Sequence, residues 1–301
     1  MDEAENNPAL SMLCPAKLNL TLAVGPPRAD GLHPIASVMA ALDFGDTLDL
    51  EHRSEHASTF KRSWAADAPK PGPIDWPIES DLIFRAHAMM EAEAGRRLPV
   101  NCILNKRIPA GAGLGGGSSN AAGMLVGLRR LFELDVPDER LVAIGSTLGA
   151  DVAFAVHALL GQPAALVTGV GDRIEPLHSP PGFNAVLAFP DGVCPTAAVY
   201  QAFDQLHADN ADIPDELIKS WRRADTIPAP RNDLTAAAIH VCPEISHTID
   251  AIKSQNLEPR LTGSGSAVFT LVGSQQQAVA IAKAFKNKGV PASSADYVAA
   301  I

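Results

Sequence analysis

The sequence predicts a fold of mixed helices and strands, in the α/β or α+β class. Strand-like and helix-like patterns of apolar residues interleave along the 301 residues, without long helical repeats. The composition, 47% hydrophobic and 19% charged, is that of an ordinary globular chain. A chain of this length favours two domains or lobes.

The first two strands are predicted at residues 16–24 and 46–51. Apolar and polar residues alternate in 16–24, which places the leucines on one face of a strand and Lys17 and Asn19 on the other. A loop rich in proline, glycine and aspartate follows the first strand at 25–31.

A polar excursion and three helices come next. Residues 53–80 are polar and partly proline-rich, which predicts a surface segment rather than a domain boundary. Residues 81–94 read as a helix and 100–105 as a strand. Apolar residues at helical spacing predict further helices over 118–134 and 138–148.

The second half of the chain begins at a Pro/Gly-rich hinge, residues 176–183. We place the boundary between the lobes there, which divides the chain into 1–178 and 179–301. A strand at 185–189, a helical middle, a glycine loop with a strand at 263–272 and a helix ending at Gly289 complete the pattern.

Charge and cysteine usage limit the partners and the compartment. The formal net charge is −10, and no Lys/Arg-rich tract stands out, so nucleic acid and membrane surfaces are not expected partners. The four cysteines form no CxxC pair, which favours reduced, buried thiols. The first fourteen residues lack the layout of a signal peptide, and no apolar run reaches the roughly 18 residues of a membrane span. We therefore expect a cytoplasmic protein.

The most informative segment is the glycine-rich stretch PAGAGLGGGSSN at 109–120. Five of the seven residues 111–117 are glycine, so backbone N–H groups there are free of side-chain cover and can converge on oxyanions. The predicted helix that follows adds the positive end of its dipole, with Ser118 and Ser119 available as caps. This arrangement favours a phosphate ligand over the alternative, a flexible linker.

Neither common nucleotide motif fits this stretch. Gly111, Gly113 and Gly116 match GxGxxG, and Asp135 lies near the spacing of a ribose-binding acid, but residues 106–109 separate the glycines from the strand. The alternative hypothesis of a nicotinamide-dependent oxidoreductase therefore rests on this match alone. A Walker A loop requires a lysine where this sequence has Ser118.

The chain resembles the GHMP small-molecule kinases over nearly its whole length. The glycine stretch is similar to the phosphate loop of that superfamily, and PAKLNLTL at 15–22 and LGADVAF at 148–154 stand at matching separations. The other matching segments, in order, are 30–33, 42–50, 81–86, 106–108, 169–172, 195–196, 232–233 and 261–269. Within the superfamily the resemblance is greatest to the branch that phosphorylates methylerythritol linked to cytidine diphosphate, in non-mevalonate isoprenoid biosynthesis.

The resemblance implies an α+β fold with two lobes. The N-terminal lobe would resemble the second domain of ribosomal protein S5, and the C-terminal lobe a ferredoxin-like sandwich, with the active site between them. It also implies an ATP-dependent kinase with an alcohol acceptor, ATP with Mg²⁺ as cofactor, and a monomer or homodimer. The alternatives are a GHMP kinase for homoserine, mevalonate or a sugar, and a nucleotide-binding homologue without catalysis.

Two residues match the catalytic positions of the family. Asp151 would accept the proton of the acceptor hydroxyl or orient it for attack. The alternative for Asp151 is a helix N-cap. Lys17 would pair with Asp151, keep it ionised and offset charge on the transferring group. The alternative for Lys17 is an ordinary solvated lysine.

The remaining site residues also come from the resemblance. Those assigned to ATP are Leu82, Lys106, Pro109, Ala110, Gly111, Gly113, Leu114, Gly115, Gly116, Gly117, Ser118 and Ser119. Those assigned to the acceptor are Asn19, His33, Thr196, Tyr200, Thr262 and Gly263. His33 would hydrogen-bond the cytosine and Tyr200 would stack on it.

Three positions depart from the family pattern, and one cluster suggests a metal. Leu32 stands where an aromatic is usual, Asp81 where an asparagine is expected near the adenine, and Ala153 where a proline is usual. His240, Cys242 and His247 fit no zinc spacing, so no residue is assigned as a metal ligand.

Overall fold

Two β-sheets organise the chain, one from each half of the sequence. The structure, a computed structural model, describes residues 9–55, 57–177, 182–207, 212–222 and 226–297. The expected boundary between residues 178 and 179 lies outside the described residues and stays a prediction.

The first sheet has six strands and four helices accompany it. The strands lie in the order β3-β4-β2-β5-β6, and β1 pairs with β2 outside this path. Only the β3–β4 pair is parallel. The elements are β1 (Ala9–Val24), β2 (Ile35–His52), β3 (Thr59–Trp64), α1 (Leu82–Ala94), β4 (Val100–Lys106), α2 (Gly116–Leu131), α3 (Asp138–Leu148), α4 (Ala150–Leu159), β5 (Ala164–Thr168) and β6 (Arg173–Pro176).

The second sheet has four antiparallel strands in the order β10-β7-β9-β8. Its elements are β7 (Asn184–Ala188), α5 (Thr196–Leu206), α6 (Asp215–Arg222), α7 (Thr235–Val241), α8 (Glu244–Lys253), β8 (Arg260–Leu261), β9 (Val268–Val272), α9 (Gln275–Asn287) and β10 (Ala292–Asp296). The strand order 4-1-3-2, with helices between the first and second and the third and fourth strands, is that of a ferredoxin-like sandwich. The expected fold class is confirmed.

Strand β1 carries two of the predicted site residues, Lys17 and Asn19. It is 16 residues long and pairs with β2 along its whole length, with register shifts at Pro15/Lys17 and Asn19/Thr21. The leucine face is buried as predicted, but the polar face is buried too: Lys17 is 7% exposed and Asn19 6%. A buried lysine and asparagine require polar partners, so this face marks the site.

Two apolar cores flank the first sheet. One lies between the sheet and helices α1 to α4. The other joins the two sheets, because Leu18 and Leu20 of β1 pack with Leu187 of β7 and Phe269 of β9. Leu114 belongs to this second core and is 1% exposed. The glycine-rich stretch is therefore held between the lobes.

The structure corrects four sequence predictions. Residues 59–64, expected as surface excursion, form edge strand β3, and 46–51 is only the end of the longer β2. Helix α2 begins at Gly116, so Ser118 and Ser119 lie inside its first turn and do not cap it. Strand β3 has only six residues, TFKRSW, and its polar residues do not alternate with apolar ones, so its sequence gives a weak strand pattern.

The cysteine prediction agrees with the structure. Cys14, Cys102, Cys194 and Cys242 are all buried and free. Among the described residues, no helix combines the length and apolar character that a membrane span requires.

Candidate active site

The glycine loop, residues 109–117, has a backbone shaped to bind an anion. Gly111, Gly113 and Gly115 have φ angles of +68°, +73° and +70°, alternating with Ala112 and Leu114. Successive N–H groups in left-handed and turn conformations of this kind make an anion-binding concavity, called a nest. Only glycine adopts these φ angles at little cost, which explains the composition of the loop.

The loop carbonyls are held by both lobes, whereas its N–H groups are free. Leu114 O accepts from Lys17 N at 3.0 Å, Ala112 O from Ala267 N at 3.1 Å and Gly111 O from Ser266 N at 3.3 Å. Within the described parts of the chain, no backbone N–H of residues 111–118 donates a hydrogen bond. The alternative of a flexible linker is therefore wrong.

Close packing fixes the position of the loop. A Cβ atom on Gly113 would lie 2.4 Å from the carbonyl oxygen of Thr262. A Cβ atom on Gly115 would lie 3.0 Å from Cγ of Lys17. The hydroxyl of Thr262 also donates to Gly113 O at 3.4 Å. The loop is thus pressed against a residue of each lobe.

A cleft of about 360 Å³ opens over the N–H side of the loop. It brings together every residue predicted to bind ATP except Ser119: the glycine loop, Ser118, Leu82 and Lys106 all line it. Ser119 is 1% exposed and lies behind this surface, where its hydroxyl has no hydrogen-bond partner among the described residues.

Lys106 lines the cleft, but its ammonium is engaged elsewhere. Its Nζ donates to Asp46 Oδ2 at 2.7 Å. Asp46 is fully buried and its Oδ1 also accepts from the backbone N–H groups of Arg107 and Ile108, at 2.6 and 2.8 Å. Asp46 therefore anchors the segment that leads from β4 into the glycine loop, and Lys106 contributes its aliphatic stem to the cleft.

Asp81 lines the same cleft, and the negative charge of its carboxylate is offset by a neighbouring arginine. Its side chain caps α1 by accepting from Ile83 N, and Oδ2 accepts from Arg62 at 3.0 Å and from the Trp76 indole at 2.9 Å. The departure from the family pattern at Asp81 thus comes with a partner, Arg62, that offsets its charge.

A second cleft, of about 220 Å³, adjoins the first. It is lined by the predicted residues Lys17, Asn19, Asp151, Thr196, Tyr200 and Gly263. Gly113 and Gly115 line both clefts, so only the loop backbone separates them. Thr262 and His33 do not line the second cleft. Thr262 is fully buried behind it, with its hydroxyl accepting from Asn19 N at 3.1 Å.

Lys17 and Asp151 face each other where the two clefts meet. Lys17 Nζ lies 3.8 Å from Asp151 Oδ2 and donates to Asn19 Oδ1 at 2.6 Å. Asn19 Nδ2 donates to Ser37 Oγ at 2.7 Å, and Ser37 Oγ donates to Thr21 O at 2.7 Å. Because the Ser37 proton goes to a carbonyl, the serine must accept from Asn19, which fixes the asparagine amide with its oxygen toward Lys17.

Asp151 is not a helix cap. The N-cap of α4 is Gly149, and Asp151 lies in the first turn, where its side chain makes no capping hydrogen bond. Its carboxylate is 44% exposed, whereas the Lys17 side chain is 9% exposed. Lys17 is therefore a buried, partnered lysine, and the alternative of a solvated strand lysine is wrong.

Tyr200 lines the second cleft together with Gly113 and Gly115 of the glycine loop. Burial, together with the negative charge of Asp151, raises the pKa of Tyr200 to about 12. The phenol therefore stays neutral at physiological pH and offers a flat, uncharged face. Its ring centroid lies 5.1 Å from that of His33.

Several functional residues of the site were not singled out by the sequence. Ser37, Asp46 and Arg62 act through partners distant in sequence. Asn232 donates to the carbonyls of Leu261 and Gly263, both at 2.9 Å, and its Oδ1 accepts from Leu234 N at 3.0 Å. The segment at 232–233 that matches the family includes Asn232, but the match does not indicate that its side chain holds the turn at Gly263.

Two alternative sites receive no structural support. Asp135 lies beyond the last turn of α2, and a 16-residue helix spans roughly 24 Å, so Asp135 is far from the glycine loop. The ribose contact of a dinucleotide site is therefore missing. No group of three or more His, Cys, Asp or Glu side chains is arranged to hold a metal within the described ranges, and these include 240–247.

Comparison with known proteins agrees with the geometry. Residues 81–168 match the N-terminal domain of GHMP kinases. The 4-diphosphocytidyl-2-C-methyl-D-erythritol kinase of Aromatoleum aromaticum is 39% identical over 278 residues, covering 92% of this chain and 90% of that protein.

Solved structures extend the comparison. A crystal structure of 4-(cytidine 5'-diphospho)-2C-methyl-D-erythritol kinase superposes with a TM-score of 0.76 at 32% identity, covering 95% of this chain and 98% of that chain. A homoserine kinase from Cytophaga hutchinsonii gives a TM-score of 0.61 at 15% identity, covering 100% and 97% of the two chains. The homoserine kinase shares the fold alone.

Proposed function

This chain belongs to the 4-diphosphocytidyl-2-C-methyl-D-erythritol kinase family of GHMP kinases, and we propose that it phosphorylates a hydroxyl of 4-diphosphocytidyl-2-C-methyl-D-erythritol with ATP. The observation that carries this proposal is the meeting of two clefts at Gly113 and Gly115, with Lys17 and Asp151 at the junction. A phosphoryl group bound over the loop would lie between nucleotide and acceptor.

The glycine loop and the start of α2 would bind the phosphates of ATP. The free N–H groups of residues 111–118 are donors, and the N-terminus of α2 adds positive potential. Leu82, Pro109 and Ala110 would border the adenosine part. Because the loop carbonyls are already bound, these donors need no rearrangement when charge develops in the transition state.

Asp151 would receive the hydroxyl proton of the acceptor. The hydroxyl oxygen forms a bond to the γ-phosphorus, the bond from that phosphorus to the bridging oxygen breaks, and ADP leaves. The proton passes to the exposed carboxylate of Asp151. Lys17, held by Asn19, would stabilise negative charge on the transferring group.

The acceptor would occupy the second cleft. Asn19 and Thr196 offer polar atoms to its hydroxyls, and Tyr200 offers a face on which the cytosine can stack. Thr262 and Gly263 would act on this side by holding the turn beside Lys17. Leu32, 53% exposed and adjacent to His33 in the sequence, would offer apolar contact where the family has an aromatic.

The donors of the site fit Mg²⁺ entering with ATP. Mg²⁺ prefers oxygen ligands and keeps several waters, so it needs only one or two protein groups. Asp151 is exposed, and the Ser119 hydroxyl at the start of α2 lacks a partner among the described residues. Asp151 is the proposed proton acceptor and Ser119 lies behind the cleft surface, so we propose that the ion arrives bound to the phosphates of ATP, with no side chain assigned as its ligand. When bound, the ion would neutralise phosphate charge.

Three coarser expectations complete the proposal. The free, buried cysteines suit a reducing compartment, so we place the protein in the cytoplasm. The substrate is a small molecule, and we expect neither nucleic acid nor membrane as partner. We keep 178/179 as the boundary between lobes, with a monomer or homodimer as the assembly.

The test is a panel of acceptors with ATP and Mg²⁺. ADP formation should be fastest with the cytidylated methylerythritol and far slower with free methylerythritol, because binding energy of the cytidine diphosphate positions the hydroxyl. Homoserine, mevalonate and a hexose complete the panel. Preference for any of these three, or equal use of free and cytidylated methylerythritol, would refute the proposed substrate.

A further inference from the structure

The His33 side chain joins the two lobes beside the acceptor cleft. It lies in the segment between β1 and β2, and its side chain is 4% exposed. Nδ1 lies 2.9 Å from the carbonyl oxygen of Gly25, and Nε2 lies 3.2 Å from Asp204 Oδ1 on α5. The ring also packs at 5.8 Å, edge to face, on Phe203 of the same helix.

Both hydrogen-bond partners of the ring are acceptors. A carbonyl oxygen cannot donate, so Nδ1 must carry a proton. An ionised carboxylate cannot donate either, so the contact with Asp204 is favourable only when Nε2 carries a proton too. Nε2 therefore meets Asp204 as a donor, which ties the ring to α5.

The position of Asp204 gives this contact a functional consequence. Asp204 lies one helical turn after Tyr200, and α5 begins at Thr196, which also lines the acceptor cleft. The Asp204 carboxylate, 47% exposed, is the partner that holds Nε2 against this helix. Loss of Asp204 would leave Nε2 of the buried ring without the partner that holds it against α5.

We infer that Asp204 is a positioning residue for acceptor binding: it holds the His33 ring, and through the ring it fixes the 25–34 segment against the helix that carries Tyr200. This inference rests on the proposed function for the identity of the acceptor. With both nitrogens engaged, the ring does not itself read the base. We propose this positioning role in place of the expected hydrogen bond from the His33 ring to the cytosine.

The first experiment compares Asp204→Ala with Asp204→Asn. Asp204→Ala should raise the KM for the cytidylated acceptor about ten- to a hundredfold, the range for losing a hydrogen bond to a charged group. The KM for ATP and kcat should stay within about twofold. Asp204→Asn should restore most of the affinity, because its amide oxygen can still accept from Nε2. Gln205→Ala, exposed and adjacent on α5, serves as the matched control.

The second experiment separates positioning from base reading. Binding of CDP and UDP to wild type and Asp204→Ala is measured by calorimetry. A positioning role weakens both ligands by the same factor, so the CDP/UDP ratio stays constant. A selective loss of CDP affinity would mean that the pair reads the base directly, and would overturn the inference. An unchanged acceptor KM in Asp204→Ala would also overturn it.

A third measurement does not depend on the acceptor. In ¹⁵N NMR spectra of the free protein, the His33 ring nitrogens, assigned by comparison with His33→Gln, should report the contact of Nε2 with Asp204. Asp204→Ala should remove this signature. If wild type fails to phosphorylate the cytidylated acceptor, the proposed function fails while this spectrum still decides on the Asp204–His33 pair. Identical His33 ring spectra in wild type and Asp204→Ala contradict the pairing.

Discussion

Lys17 is the residue on which the polar groups of the site converge. Its ammonium is held by Asn19 at 2.6 Å and faces Asp151 at 3.8 Å, and Asn19 is itself oriented by Ser37. In this series of hydrogen bonds each side chain is oriented by the next one, so the lysine is positioned before substrate binds. Such preorganisation is the main source of electrostatic catalysis.

Substitution Asp151→Asn tests the role of the carboxylate. The amide keeps the shape of the side chain but cannot accept a proton, so kcat should fall by roughly two to four orders of magnitude. The affinity for ATP should remain nearly unchanged, because the loop N–H groups are untouched. Steady-state kinetics and nucleotide titration measure the two effects.

The control is Asp138→Asn. Asp138 also lies in the first turn of a helix, α3, and pairs with Arg129 away from the clefts. It should retain wild-type kcat. If Asp151→Asn loses no more activity than Asp138→Asn, then Asp151 only supports its helix.

At the scale of elements, the glycine loop acts as one rigid unit. Two substitutions separate its packing from its ligand contacts. Gly113→Ala should lower the free energy of unfolding by roughly 2–4 kcal/mol, because φ is +73° and the added Cβ would meet the Thr262 carbonyl. Gly117→Ala should leave stability nearly unchanged, since the nearest atom to its Cβ is Leu82 Cδ1 at 3.9 Å.

The two variants should differ in ATP binding as well. The Gly117 Cβ would project into the nucleotide cleft, so the Kd for ATP should rise by about tenfold or more in a fully folded protein. Urea unfolding and ATP titration give both quantities. Wild-type ATP affinity in Gly117→Ala would show that the phosphates do not approach this end of the loop.

The buried Asp46–Lys106 pair anchors the strand that enters the loop. Asp46→Asn removes one charge and leaves the ammonium buried and unpaired, so the free energy of unfolding should fall by about 3–5 kcal/mol. The double variant Asp46→Asn/Lys106→Met should recover part of this loss, because it removes the orphaned charge. Denaturant unfolding measures both.

Asp49→Asn, on the same strand, is the comparison for this pair. Asp49 is only partly buried and accepts from Ser11, so its loss should cost less than 1 kcal/mol. Equal effects of Asp46→Asn and Asp49→Asn would show that the pair contributes nothing particular to the anchor.

Sequence patterns predicted the elements that bury one clear face and missed those that do not. The helices around the glycine loop and the strand at 16–24 have strong periodicity. Strand β3 and the first half of β2 do not, since β3 lies at the sheet edge and β2 is buried on both faces. The boundaries of α2 differed because Gly115, not a serine, caps it.

The candidate site was predictable where a motif exists and otherwise was not. The glycines, Lys17 and Asp151 stand in recognisable segments, and the structure brings them together. Ser37 and Asp204 act only through contacts with residues far away in sequence, Asn19 and His33. No local pattern records such contacts, because the first depends on the pairing of β1 with β2 and the second on the packing of α5 against the 25–34 segment.

At the scale of the whole molecule, the lobes are connected through the site itself. Leu22 N donates to Arg231 O at 2.7 Å, and Asp233 N donates to Leu22 O at 3.1 Å, so β1 carries backbone contacts to the second lobe. The glycine loop adds its own bonds to Ser266 and Ala267. The core between the sheets includes residues of both lobes, so site geometry and global stability are linked.

Buried thiols make this stability sensitive to alkaline pH. Burial, with Asp81 and Asp49 nearby, raises the pKa of Cys102 to about 12. In the unfolded chain the pKa of the thiol is about 8.5. Between these pH values the unfolded state binds fewer protons than the folded state. The contribution of the protonated thiol to the free energy of unfolding is therefore complete below about pH 8.5 and is lost as the pH rises toward 12.

The expected slope is about 1.4 kcal/mol of unfolding free energy lost per pH unit for each such thiol. Urea unfolding at pH 8, 9 and 10, under reducing conditions, measures it. Cys102→Ala should lower the slope by about this amount, whatever its effect on absolute stability. Parallel slopes in wild type and Cys102→Ala would show that the thiol ionises equally in both states.

The glycine-loop backbone between the two clefts has a consequence for inhibitor design. Gly113 and Gly115 line both cavities, and neither glycine has a side chain to obstruct the passage between them. One compound carrying an adenosine at one end and a cytidine at the other could engage both cavities through a short tether. Its second half would bind at the effective concentration set by that tether, so affinity would exceed that of either half alone. Drugs that compete for ATP sites in general lack the cytidine end, and the tethered compound would gain selectivity from it.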